Sequence, residues 1–75
     1  MPYIAIKSYP KDAETKKRLV EQINKDLMEI CSLPAEAVTI SYEEVAPEEW
    51  EEKVVRGEIE PRAEAMYIVN GKKTY

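Results

Sequence analysis

The chain has 75 residues, with 11 Lys and Arg against 15 Asp and Glu, no histidine and one cysteine, for a net charge of −4 at pH 7. A single domain of this size rarely gains more than about 3–5 kcal/mol from its own core, and one cysteine without histidine offers neither an internal disulfide nor a usual zinc set, so oligomerisation is the expected remedy. No basic stripe favours nucleic acid, and no apolar run near ~18 residues or signal-peptide core favours a membrane or export, which leaves the cytoplasm as the expected compartment.

The chain opens Met1-Pro2 and passes at once into a strand over about 3–8, where Ile4 and Ile6 alternate with Tyr3, Ala5 and Lys7. While Met1 is attached, the Pro2 nitrogen is an amide without a hydrogen and without useful basicity. Removal of Met1 turns it into a secondary amine at the end of a rigid strand. A free α-amino group titrates at roughly 7.7–8.0, and burial against apolar groups lowers that value. With no histidine in the chain, Pro2 is the best candidate base. The plain alternative, a stiff start to a strand, stands beside it.

Tyr9-Pro10-Lys11 turns the chain, and Asp12 sits where a helix N-cap belongs, with Glu14 in the first turn. From about 13 to 32, Leu19, Val20, Ile23, Leu27, Ile30 and Cys31 form one stripe at helical spacing. Cys31 falls within that stripe and reads as a core thiol, and Pro34 closes the helix. Val38, Ile40 and Tyr42 then alternate with Thr39, Ser41 and Glu43 in a second strand over about 38–45. Strand, long helix and strand make a β-α-β unit with parallel strands and a right-handed crossover. The helix covers one sheet face and leaves the other bare unless a second subunit or the tail covers it, which is the physical reason to expect a homodimer or a larger assembly.

Pro47, Glu48 and Glu49 suit the start of a short helix over about 47–57, with Trp50 and Val54 on one face. Gly57 is expected to weaken or end it, and Pro61 to open another over about 61–68. Asn70-Gly71 is a strong turn signal, after which Lys72–Tyr75 either pairs or frays. Six glutamates lie between Glu43 and Glu52. A dense run at a helix start reads as a solvated acidic face rather than a metal or acid/base pair.

This order of features resembles the 4-oxalocrotonate tautomerase family. Met1-Pro2 ahead of a strand, β-α-β in the first 45 residues and the aromatic Trp50 carry the likeness. Ala46-Pro47-Glu48-Glu49-Trp50 followed by Glu58-Ile59-Glu60-Pro61 is similar to its small dimeric bacterial subgroup acting on phenylenolpyruvate. The resemblance implies an α/β fold completed by dimerisation. It also implies an isomerase without cofactor, in which Pro2 is the general base that moves a proton between enol and keto forms of a 2-oxo acid. A family arginine after the first strand, which binds a carboxylate, corresponds to nearby Lys11. A second one on the next strand corresponds to Thr39, which carries no positive charge. Arg56, Arg62 and Lys53 are the remaining sources of that cation, and Trp50 corresponds to the apolar wall. Lys11 reads equally as a solvated turn residue, and Trp50 as packing. The competing functions are a non-catalytic small-molecule binding module of the same fold and an interaction protein using its acidic helix.

Overall fold

The computed structural model describes all residues, Met1–Tyr75, and the chain divides into two compact units, Met1–Val45 and Ala46–Tyr75. In the first unit β1 (Tyr3–Ser8) leads to α1 (Ala13–Cys31), a 3-10 turn (Ala35–Ala37) and β2 (Thr39–Glu44). β1 and β2 are parallel neighbours, with Tyr3 opposite Thr39, Ile4 opposite Ile40, Ile6 opposite Tyr42 and Ser8 opposite Glu44. The expected β-α-β unit is therefore present.

Local chemistry sets its boundaries. Asp12 caps α1: its carboxylate accepts the Thr15 N–H at 3.2 Å and the Thr15 hydroxyl at 2.6 Å, satisfying one of the helix's free N-terminal donors. Ser32 takes a left-handed conformation at φ 53°, its N–H and that of Leu33 both turn back to the Met28 carbonyl, and Pro34 follows. In-register neighbours of a parallel pair share a face. Ile4, Ile6, Ile40 and Tyr42 are half-buried, whereas Tyr3, Ala5, Thr39, Ser41 and Glu43 are exposed, so one face of the sheet is open. The helix lies on the other: Lys16 of α1 sits 5.9 Å from the centre of the Tyr42 ring and 3.1 Å from Glu44.

Cys31 corrects the expectation of a core thiol, because it is exposed. Val20, Ile23 and Leu27 are half-buried, but Leu19 and Ile30 are also exposed, Ile30 at 82%. Two strands roughly 4.8 Å apart make a narrow sheet, which covers the middle of the helix stripe and not its flanks or its last turn. Lys16 is half-buried, its ammonium reaching Glu44 of β2.

In the second unit α2 (Pro47–Trp50) continues without a break into a π-helical segment (Glu51–Ile59) and a 3-10 segment (Glu60–Ala65). Of the two outcomes expected at Gly57, the helix is not ended but departs from α geometry. A widened turn, closed by bonds to the fifth residue back, carries the chain past it, and the Glu60 N–H returns to the Val55 carbonyl. A Cβ built on Gly57 would lie 3.2 Å from the Glu52 carbonyl oxygen, so the glycine accommodates that close backbone approach. Pro61 has no N–H to continue the pattern, and Arg62 leaves helical geometry at φ −121°, ψ 33°. Ile68 belongs not to a helix but to a hairpin of β3 (Ile68–Val69) and β4 (Lys72–Lys73). Asn70 and Gly71 both have positive φ, 50° and 81°, the pattern of a type I′ turn. No helix is long and apolar enough to cross a membrane.

Candidate functional site

Pro2 is half-buried, and its carbonyl accepts the Thr39 N–H at 3.2 Å, which extends the β1–β2 ladder one residue beyond the strand. Backbone pairing of this kind holds the N-terminal residue to the sheet while Met1 beyond it is 94% exposed. Thr39 therefore does abut Pro2, but through its backbone. On the open face beside it the Tyr3 hydroxyl and the Ser41 hydroxyl lie 3.2 Å apart. Thr39 lies on the same face opposite Tyr3, and none of these three residues is cationic.

Lys11 stands at the other end of β1. A six-residue strand rising ~3.3 Å per residue separates it from Pro2 by roughly 20 Å, far beyond the reach of a lysine side chain. Its backbone N–H donates to Glu44 at 3.0 Å, and Lys16 binds the same oxygen at 3.1 Å. Together, the Lys11 N–H first and Lys16 second, they hold the Glu44 carboxyl below the ordinary glutamate value. Alongside, the Ser8 hydroxyl donates to the Tyr9 carbonyl at 2.7 Å, so the Tyr42 hydroxyl is the donor in the 2.6 Å contact with Ser8. The far end of β1 is thus a tied corner whose groups hold the Lys11 backbone.

Trp50 lines a cleft of ≈ 480 Å³ formed wholly within the second unit, between the helical stretch and the hairpin. Val55, Ile59, Met66, Ile68 and Val69 are its apolar walls, and Glu51, Glu60 and Asn70 its polar groups. Arg56 and Arg62 are both exposed and neither lines it. The structure thus does not gather Trp50 with the two arginines into one pocket. Lys53 is engaged with Glu49 at 3.1 Å, one helical turn away. The glutamates from Glu43 to Glu52 are all exposed, and two of them besides Glu44 pair with lysines, Glu43 with Lys7 at 3.8 Å and Glu49 with Lys53. No group of three or more His, Cys, Asp or Glu side chains is clustered to hold a metal.

Of the residues that line the cleft, the sequence singles out Trp50 alone as a site candidate; the others, Glu51, Glu60 and Met66 among them, carry no signal of it. A helical period of about 3.6 places Glu51 and Glu60 on opposite faces, and only the wider turn brings both to the cleft. Gly57, the one glycine in a run of good helix formers, was the available signal.

No protein-family model and no curated protein matches the chain.

Proposed function

We propose that this chain, with Met1 removed, is a cofactor-independent cytoplasmic tautomerase of small 2-oxo acids that works as a homodimer with Pro2 as general base. The observation that carries the reading is the anchorage of Pro2: half-buried, and fastened through its carbonyl to Thr39 at 3.2 Å. A secondary amine at that point starts the reaction already positioned, which is where much of a catalyst's advantage lies. It accepts the proton of the enol hydroxyl and returns a proton to the neighbouring carbon, leaving the keto acid. The charge that builds on oxygen needs donors or a cation.

Within one chain Lys11 is too distant from Pro2 to supply that cation, so in this reading it comes from Lys11 of a second copy, or from Arg56 or Arg62. The bare face of the β1–β2 sheet, with Tyr3 67% exposed, gives a second copy a surface to cover.

The second reading is a binding module of the same fold with Pro2 idle. The 20 Å scale of the Pro2–Lys11 separation, estimated from strand rise, favours it if the chain works as a monomer. Ketonisation of phenylenolpyruvate by two preparations of defined intact mass, one processed and one retaining Met1, decides between them. Proline-dependent turnover appears in the processed form alone; equal rates in both forms would leave the binding module.

A further inference from the structure

We propose that the cleft beside Trp50 is a binding site for an organic ammonium ion with an apolar body, such as an arylalkylamine. Its ≈ 480 Å³ falls in the range of small-ligand sites, which run from roughly 300 to 1,000 Å³ and combine apolar walls with a few placed polar groups. Val55, Met66 and Val69 supply the apolar walls here, and Trp50 the aromatic one. An indole face is the side chain that attracts a cation most strongly, through its quadrupole.

The charged groups at the cleft settle the sign of the ligand. Glu51 and Glu60 are the only charged residues lining it. The second unit's own cations are elsewhere: Lys53 pairs with Glu49 at 3.1 Å, Lys73 lies 5.6 Å from the Tyr75 ring centre, and Arg56, Arg62 and Lys72 do not line the cleft. A ligand ammonium therefore meets two uncompensated carboxylates and an indole, while a ligand carboxylate meets two like charges. The convergence is built by the backbone. Positions 51 and 60, nine apart, face opposite ways at about 3.6 residues per turn. The π-helical segment Glu51–Ile59 widens the turn and sets them on one side, and π-helical turns are frequent at functional sites.

This inference uses the second unit alone and does not rest on the tautomerase reading; loss of turnover would leave it standing. Trp50 is the only tryptophan in the chain, so its fluorescence reports on the site directly. The full chain is titrated at pH 7 with 2-phenylethylamine, with the neutral 2-phenylethanol and with 3-phenylpropionate. The amine should give a saturable change and bind at least about tenfold more tightly than the alcohol, and the carboxylate should bind more weakly than either. In the Glu51→Gln, Glu60→Gln double variant, amine affinity should fall to that of the alcohol while the alcohol's own binding is unchanged, which shows the cleft still formed. An amine no tighter than the alcohol, a carboxylate that binds as well as the amine, or amine binding unaffected by the double variant overturns the proposal.

Discussion

The Thr39 N–H donates to the Pro2 carbonyl at 3.2 Å, so the residue nominated as catalyst is bonded to the start of the neighbouring strand. This contact fixes the backbone on one side of the Pro2 ring and leaves the nitrogen on the other. In a Met1-retaining chain that nitrogen is an amide and accepts no proton.

Processing should therefore act as an on-switch. General-base catalysis is worth typically ~10²–10⁴-fold, and the Met1-retaining form should fall below the processed form by that factor or more. In the processed form kcat/KM should rise with pH as the amine loses its proton, because the base must be neutral to accept one. The titration belongs at or below the roughly 7.7–8.0 of an ordinary α-amine. Pro2→Ala keeps a terminal amine but makes it primary and looser, so activity should drop without vanishing. Rates measured across pH on these three proteins check all of this.

The separation of Lys11 from Pro2 within one chain makes a sharper prediction about assembly. If Lys11 holds the substrate carboxylate, Lys11→Ala should lower kcat/KM by at least about tenfold, roughly 1.4 kcal/mol of transition-state binding. Because the strand between them spans roughly 20 Å, that lysine must serve the Pro2 of another copy. Mixing Lys11→Ala chains with Met1-retaining chains should then restore activity, since a mixed dimer pairs an intact Pro2 with an intact Lys11. Kinetics of the mixture against each parent measure it. An unchanged Lys11→Ala enzyme transfers the role to Arg56 or Arg62.

Glu44 gives a stability prediction with a definite sign. The Lys11 N–H and the Lys16 ammonium favour its charged form, so its carboxyl is held below the ordinary value of 4.5. A carboxyl depressed on folding stabilises the fold fully above its unfolded value, and that contribution disappears as pH falls through the lower folded value. Glu44→Gln should accordingly unfold at lower urea than the parent at pH 7. The gap should narrow below about pH 4.5 and close once Glu44 is protonated in the folded parent. Urea midpoints at pH 7, 4.5 and 3 test the order.

The sequence makes the β-α-β half legible, because each of its signals is local and repeated. Asp12 and Glu14 announce the start of α1, Pro34 its end, and the alternation of Ile4, Ile6, Ile40 and Tyr42 tells which face of each strand is covered. Cys31 escapes that logic. Spacing shows that it shares a stripe with Leu27, but not that a two-stranded sheet is too narrow to reach it. The second half is harder for a different reason. Period-based reading assumes about 3.6 residues per turn, and Glu51–Ile59 does not obey it. The position of Pro2 ahead of β1 makes it a candidate and no more, and its bond to Thr39 follows from nothing shorter than the register of two strands 36 residues apart.

Gly57 carries the last prediction, because two effects oppose each other there. Replacing a helical glycine by alanine ordinarily stabilises by about 0.5–1 kcal/mol, through the smaller entropy loss of the alanine backbone. No positive φ stands in the way at this position. The new Cβ, however, would lie 3.2 Å from the Glu52 carbonyl oxygen, a backbone atom held by the wide turn and unable to swing aside as a flexible side chain would. Relief requires either opening that turn further or tightening the segment toward α geometry. Tightening would rotate Glu60 away from Glu51 and displace Trp50 from the cleft wall. Gly57→Ala should therefore fail to gain the usual ~1 kcal/mol, and its Trp50 emission should shift as the cleft rearranges. Thermal unfolding followed by Trp50 fluorescence reads both effects in one experiment. A variant about 1 kcal/mol more stable with unchanged emission would mean that the wide turn does not depend on the missing Cβ.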